Sequence, residues 1–161
     1  MFANNNLPLI KYFTKKFSEL SLNELYDLLA LRQDIFVVEQ DCPYLDADGK
    51  DQESIHVFGL DPNKKLVTYT RIVPKGISYK KYISIGRVVV HINARGSGEG
   101  KRLMQESIKA CIAHYPNEKI KISAQSHLNK FYSDLGFIHT GEEYLEDGIP
   151  HIGMVLAPAS T

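Results

Sequence analysis

The residue types of positions 95–100 favour the binding of a phosphorylated small molecule. They are Arg95, Gly96, Ser97, Gly98, Glu99 and Gly100. An apolar run ends shortly before them, and a stretch with helical periodicity begins with them. The first amides of a helix have no intrahelical partner and lie at the positive end of the helix dipole. Because glycine has no Cβ, a diphosphate could approach these amides closely.

Two common phosphate-binding loops do not match this segment. A Walker loop requires Ser or Thr after Gly-Lys, but Arg102 follows Lys101. Its first glycine is also missing, because Arg95 stands there. The dinucleotide fingerprint Gly-x-Gly-x-x-Gly fails at its last position, which is Lys101. What remains is Arg-x-x-Gly-x-Gly, for which an ordinary tight turn before a helix is the alternative interpretation.

The composition indicates one domain without a strong charge. The chain has 161 residues, and 19 Lys and Arg balance 19 Asp and Glu, so neither nucleic acid nor a membrane is an expected partner. Cys42 and Cys111 fit no disulfide framework and no metal or redox spacing. Residues 1–10 lack the apolar core of a secretory signal, and no run is long enough to span a bilayer. We therefore expect a cytoplasmic protein with no metal site.

The residue pattern predicts a mixed α/β domain in the order helix, three strands, helix, strand, helix, two strands. A capping box of Ser21 and Glu24 begins the first helix, at about 22–34, which runs on towards residues 36–38. We expect the third helix at 127–135 and strands at 55–60, 66–73, 83–90, 120–124, 137–144 and 151–156. The second helix follows the glycines and ends at Pro116. Its expected buried stripe is Met104, Ile108, Cys111, Ile112 and Tyr115.

This order, with Arg-x-x-Gly-x-Gly after the third strand, resembles the GCN5-related N-acetyltransferase (GNAT) superfamily. A second block, residues 129–137, is similar to a family segment through Asn129, Phe131, Tyr132, Gly136 and Phe137. The ElaA-like branch is a closer match. The segments that carry this closer resemblance are 36–40, 42–44, 46–49, 85–88, 124–128 and 146–151.

The resemblance implies one N-acetyltransferase domain over residues 8–157, with an α/β (mixed, α+β-type) sheet, flanking helices and splayed central strands. It implies acetyl-CoA as donor and an amine of a small molecule, peptide or protein as acceptor. Transfer would be direct, because nothing places a base beside Cys42 or Cys111. A non-catalytic acyl-CoA-binding regulatory module is the alternative. Many relatives are dimers, so a homodimer stays open as well.

The same resemblance assigns the donor site. Main-chain amides of residues 96–101 would hold the diphosphate, and the pantetheine arm would pair with the edge of residues 88–90 like an added strand. A free amide at that edge would stabilise the oxyanion, although a plain core strand is the alternative. The expected donor contacts are Val88, Val89, Val90, Arg95, Gly96, Ser97, Gly98, Glu99, Gly100, Lys101 and Asn129.

The acceptor and the leaving group each need a proton-transfer residue. An alkylammonium must lose a proton before attack, and Glu39 and His151 are the favoured bases, with His56 and His127 as further candidates. A solvated Glu39 and a structural His151 are the alternatives. Tyr132 stands where the family places the acid that protonates the thiolate; the alternative is a core tyrosine.

Two acidic segments complete the candidate set. They contain Asp46, Asp48, Asp51, Glu143, Glu146 and Asp147. If both segments meet at the mouth of the acceptor site, they would attract a cationic amine. Ordinary solvated loops are the alternative.

Overall fold

The computed structural model describes residues 9–158, which form a seven-stranded sheet with helices on both faces. The start of the expected domain at residue 8 lies outside the described residues. The strands are β1 (Lys11–Lys16), β2 (Ile55–Leu60), β3 (Leu66–Val73), β4 (Ile83–Val90), β5 (Ile120–Gln125), β6 (Ile138–Glu146) and β7 (Ile149–Leu156). The helices are α1 (Leu22–Gln33), α2 (Glu99–His114) and α3 (Asn129–Asp134). A π-helical segment, Asp34–Glu39, continues α1.

The sheet order is β1-β2-β3-β4-β5-β7-β6, and all neighbours are antiparallel except β4 and β5. The mixed α/β class expected from the sequence is thus confirmed. The predicted order lacked β1, whose lysine-rich residues alternate weakly and lie at the edge of the sheet. The capping box at the start of α1 is also present, because Ser21 and Glu24 each accept the other's main-chain amide.

The central feature of the sheet is a gap between β4 and β5. These parallel strands pair only at Ile83 with Ile120 and at Ser84 with Lys121. Beyond those pairs the strands diverge, so residues 88–90 of β4 have no strand partner on that side. Because a buried main chain needs hydrogen-bond partners, this edge can accept an extended ligand.

Two apolar clusters hold the layers together. On one face, α1 packs through Leu28 and Leu31 against Phe58, Tyr69 and Val89. On the other face, α2 and α3 cover the larger cluster. Its members include Met104, Cys111, Ile122, Tyr132, Phe137 and Met154.

The predicted buried stripe of α2 was wrong at one position. Ile112 is 58% exposed, and the buried positions are Leu103, Met104, Ser107, Ala110 and Cys111. Burial raises the pKa of the Cys111 thiol to about 12, as befits an inert core thiol. No helix within residues 9–158 is both long and apolar enough to cross a membrane.

Candidate active site

The glycine segment lies directly after β4 and forms the N-terminus of α2. Gly96 and Gly98 have φ values of 86° and 82°, in the left-handed region that favours glycine. The first main-chain hydrogen bond of the helix runs from Arg102 N–H to the Gly98 carbonyl at 3.2 Å. The three helical amides before Arg102 therefore have no partner inside the helix. This arrangement can bind an anion through main-chain nitrogens.

Side chains near the glycine segment are already engaged. Arg95 Nε donates to the Val90 carbonyl at 2.9 Å, and its other nitrogens contact the Glu39 carboxylate. Glu99 accepts a hydrogen bond from the Tyr12 hydroxyl at 2.9 Å. Because the Glu99 carboxylate is an acceptor, only the main-chain amide of this residue can contact an anion. Arg95 links the end of β4 to Glu39, at the end of the π-helical segment.

Helix α3 lies against the start of α2. A Cβ on Gly100 would come within 3.8 Å of the Phe131 ring, and Phe131 packs edge-on against Tyr132. Tyr132 is 7% exposed, and burial raises its pKa to about 12. No hydrogen bond to its hydroxyl is seen within residues 9–158. A protonated phenol without a partner can donate a proton to a ligand.

A cavity of about 570 Å³ lies beside α3 and the β6–β7 hairpin. Its lining residues are Ser126, Asn129, His139, Glu143, Tyr144, Leu145, Pro150, His151 and Ile152. The structure thus brings the predicted residues Asn129 and His151 together. Since cavities with a few polar groups are the usual ligand sites, this one is a candidate acceptor site.

His151 is held at the wall of this cavity by oxygen atoms on both ring nitrogens. Its Nδ1 lies 2.7 Å from the Ile149 carbonyl, and its Nε2 lies 3.2 Å from Glu146 Oε2. The carbonyl can only accept, so Nδ1 carries a hydrogen and Nε2 faces the Glu146 carboxylate. The ring also stacks on Tyr144. Glu146 would stabilise the imidazolium formed at Nε2.

The other predicted bases occupy different environments. His56 is fully buried, with Nε2 2.9 Å from the Asp51 carbonyl and Nδ1 2.7 Å from the Tyr69 hydroxyl. Burial lowers its pKa, and both nitrogens are used in the core. The structural interpretation of His56 is therefore the better one. His127 is exposed in a short 3₁₀ turn before α3.

Three arginines and three aspartates form a cluster on the α1 face of the sheet, which we call the arginine–aspartate cluster. Its members are Arg32, Asp46, Asp48, Asp51, Arg71 and Arg87. Arg32 is fully buried and contacts Asp46 and Asp51 at 2.8 and 2.7 Å. The three positive and three negative charges of the cluster balance, so residues 46–51 lack the free negative charge that the conditional hypothesis of amine attraction required. The alternative interpretation, that these residues lie in ordinary solvated loops, was wrong for Asp46 and Asp51, because both are buried.

Arg87 of this cluster lies at an irregularity in β4. Tyr69 pairs with Val89 but Arg71 pairs with Gly86, so one residue of β3 lies opposite two of β4. This β-bulge gives Arg87 a φ of 52°, which is unusual for a residue with a Cβ. The bulge lies in the part of β4 that has left β5.

Sequence reasoning did not identify the three arginines of the cluster. The available signal was Arg71, an arginine inside β3, whose eight residues are all buried. A buried arginine requires carboxylate partners, and the acidic segment 41–53 supplies them. The remaining acidic residues, on the β6–β7 hairpin, are exposed.

Comparison with known proteins identifies this chain as a member of the GNAT family. Residues 38–158 match the family described as acetyltransferase (GNAT) domain. Protein ElaA of Escherichia coli is 45% identical over 139 residues, which cover 85% of this chain and 90% of that protein. A UPF0039 protein of Synechocystis sp. is 40% identical over 146 residues, covering 91% and 94% of the two chains.

Two solved structures are similar over nearly their whole length. The crystal structure of Escherichia coli ElaA has a TM-score of 0.85 and 42% identity, covering 92% of this chain and 99% of that one. An acyl-CoA N-acyltransferase from Pseudomonas aeruginosa has a TM-score of 0.86 and 38% identity, covering 92% and 100%.

Proposed function

This chain belongs to the GNAT family as an ElaA-like N-acyltransferase, and we propose that it transfers an acetyl group from acetyl-CoA directly to an amine. The acceptor is an amine of a small molecule or of a protein. The single catalytic domain covers residues 8–157. Kinship with acyl-CoA N-acyltransferases favours an enzyme over the regulatory module considered from the sequence.

The observation that carries this proposal is the gap between β4 and β5 beside the glycine segment. The CoA diphosphate binds the main-chain amides of residues 96–101, with Lys101 and Arg102 adding charge. The pantetheine arm lies along Val88, Val89 and Val90, and Asn129 contacts its amides. When the thioester carbonyl meets a free amide of this edge, the developing oxyanion is stabilised.

We assign the acid–base roles to two side chains, Tyr132 of α3 and His151 at the wall of the cavity. His151 Nε2 removes the proton from the acceptor ammonium after the Glu146 carboxylate, 3.2 Å from that nitrogen, turns aside, and Glu146 then stabilises the resulting imidazolium. The amine then attacks the thioester carbon, and as the C–S bond of the tetrahedral intermediate breaks, Tyr132 donates its proton to the departing CoA thiolate. The second proton, lost by the nitrogen that has become the amide, returns the Tyr132 phenolate to the phenol. Glu39 is the alternative base, and both of its carboxylate oxygens contact Arg95, so that ion pair would also have to open.

The donor and the location form part of the same proposal. Val88 packs against the buried cluster that contains Tyr132, and this close packing favours a small acyl group such as acetyl over a longer one. Two unpaired cysteines and an acetyl-CoA requirement suit the cytoplasm.

The test measures CoA thiol release from acetyl-, butyryl- and octanoyl-CoA with a panel of diamines, amino acids and lysine peptides. We expect amine-dependent release that is fastest with acetyl-CoA. Faster release with a longer chain would contradict the acetyl assignment but leave acyl transfer intact. No calorimetric heat with CoA, on folded protein, would contradict the donor site itself.

A further inference from the structure

The arginine–aspartate cluster joins the acidic loop, residues 41–53, to β4 where that strand leaves β5. Arg87 Nε donates to Asp46 Oδ1 at 2.8 Å, and its Nη2 lies 3.4 Å from Asp48 Oδ2. Its guanidinium also stacks over the rings of Phe36 and Tyr44. The side chain of Arg87 is thus fixed by contacts from two elements outside the sheet.

A second arginine fixes the opposite strand at the same level. Arg71 pairs in register with Gly86, directly before the bulge. Its Nη1 contacts Asp48 and Asp51 at 2.7 and 3.0 Å. Asp48 therefore bridges Arg71 of β3 and Arg87 of β4 across the bulge.

The backbone at this point needs such support. An L-residue at a φ of 52° occupies a sparsely populated region, and it stays there only if its surroundings determine it. Stability alone is a weak reason for the cluster, since apolar residues of similar volume stabilise a core at least as well as buried ion pairs. Directional contacts can instead select one geometry of the main chain.

We propose that Arg87, held by Asp46 and Asp48, is a positioning residue that fixes the β4 bulge so that the main-chain edge of residues 88–90 is correctly placed for the donor. This inference rests on the proposed function, because its consequence is a rate of acyl transfer. Arg87 itself acts through the backbone. It follows that loss of its side chain lowers turnover even when the strand and the donor site remain folded.

The test uses two substitutions that separate backbone from side chain. Arg87→Gly removes the side chain but accepts a positive φ without strain, whereas Asp48→Asn keeps the shape and removes the bridging charge. Lys75→Ala is the matched control, because it breaks the exposed Lys75–Glu118 pair on the surface. Each protein is measured for kcat and KM and for hydrogen exchange of residues 41–53 and 86–90 without ligand.

We expect Arg87→Gly and Asp48→Asn to lower kcat at least tenfold, with KM for the donor changed less than threefold. Exchange in both segments should accelerate at least tenfold, and the control should match the parent in every reading. Faster exchange with unchanged kcat would overturn the positioning role and leave a structural clamp. Unchanged exchange would overturn the clamp as well. If the parent protein transferred no acyl group, the proposed function would fail, and exchange would still decide whether the clamp exists.

Discussion

Glu39 and Arg95 form a bidentate ion pair, with Glu39 Oε1 2.8 Å from Arg95 Nη1 and Oε2 3.2 Å from Nη2. The pair joins the end of the π-helical segment to the first residue of the glycine segment. Both side chains are 40% exposed. A negative charge is thereby held next to the expected diphosphate site.

Glu39→Gln is expected to strengthen the binding of CoA. The change removes the negative charge and frees Arg95 for the diphosphate, and an exposed pair of this kind is worth under about 1 kcal/mol to stability. We expect up to fivefold tighter binding in calorimetry and an unchanged melting temperature. If the acidic limb of the pH–rate profile moved instead, Glu39 would be the base.

His151→Gln is expected to abolish the acidic limb of the pH–rate profile. Its Nε2 is the group that would accept the acceptor's proton, and general base catalysis contributes about 10²-fold or more. A kcat reduced by roughly this factor is expected, with CoA affinity unchanged. His114→Gln, at the exposed end of α2, is the control. A profile identical to that of the parent would remove His151 from the mechanism.

Tyr132→Phe is expected to lower kcat before it affects donor binding. The phenol is buried and protonated, and loss of a general acid costs about 10²-fold in rate. The measurement is single-turnover thiol release alongside calorimetry with CoA. Tyr26→Phe removes a hydroxyl from an exposed tyrosine of α1 and should have no effect. An equal rate in the Tyr132 variant would favour a purely structural role.

Gly98→Ala is expected to weaken CoA binding more than its effect on stability explains. A Cβ at Gly98 meets no atom within 4 Å, so the cost in the free protein is backbone strain at a φ of 82°, roughly 1–2 kcal/mol. Gly76→Ala is a close control, because Gly76 also has a positive φ and open space but lies in another loop. Both variants should melt at similar temperatures, and only Gly98→Ala should lose CoA affinity. Equal affinities would count against the loop as the diphosphate site.

The free energy of unfolding is expected to fall in acid through the arginine–aspartate cluster. Burial alone would raise the pKa of Asp48, but Arg71 outweighs it and holds that pKa well below its ordinary value of 3.8. Arg32 does the same for the pKa of Asp51. A carboxyl group whose pKa is lower in the folded than in the unfolded state stabilises the fold at pH values above its unfolded-state pKa. This stabilisation decreases once the pH falls below about 4, towards the folded-state pKa. Urea titrations at pH 7, 4 and 3 test this, and Asp48→Asn should flatten the dependence.

The fold was largely predictable because local pattern and tertiary structure agree. Strands β2, β3 and β4 follow the predicted bounds, and α1 runs into the π-helical segment as expected. The exceptions are physical. Edge strand β1 is mostly solvated and carries little apolar alternation. Ile112 lies on the solvated flank of α2, whereas smaller residues such as Ala110 occupy its buried face.

The candidate site was predictable only where function depends on the main chain. Gly96 and Gly98 favour a positive φ because they are glycines, and both have one. The role of Tyr132 was inferred from a family resemblance. By contrast, the partners of Asp48 lie 23 and 39 residues away, so no local pattern links them. The roles assigned to Glu39, His151 and Tyr132 stay predictions.

The brief pairing of β4 with β5 means that strands β1–β4 and strands β5–β7 form two half-sheets with little main-chain contact between them. A donor lying in the gap would hydrogen-bond to the first and rest against the second, so it would act as a structural member of the sheet. Ligand occupancy and cooperative unfolding would then be thermodynamically linked, and excess CoA should raise the melting temperature. In a cell, the folded population of this protein would rise and fall with the supply of its own donor.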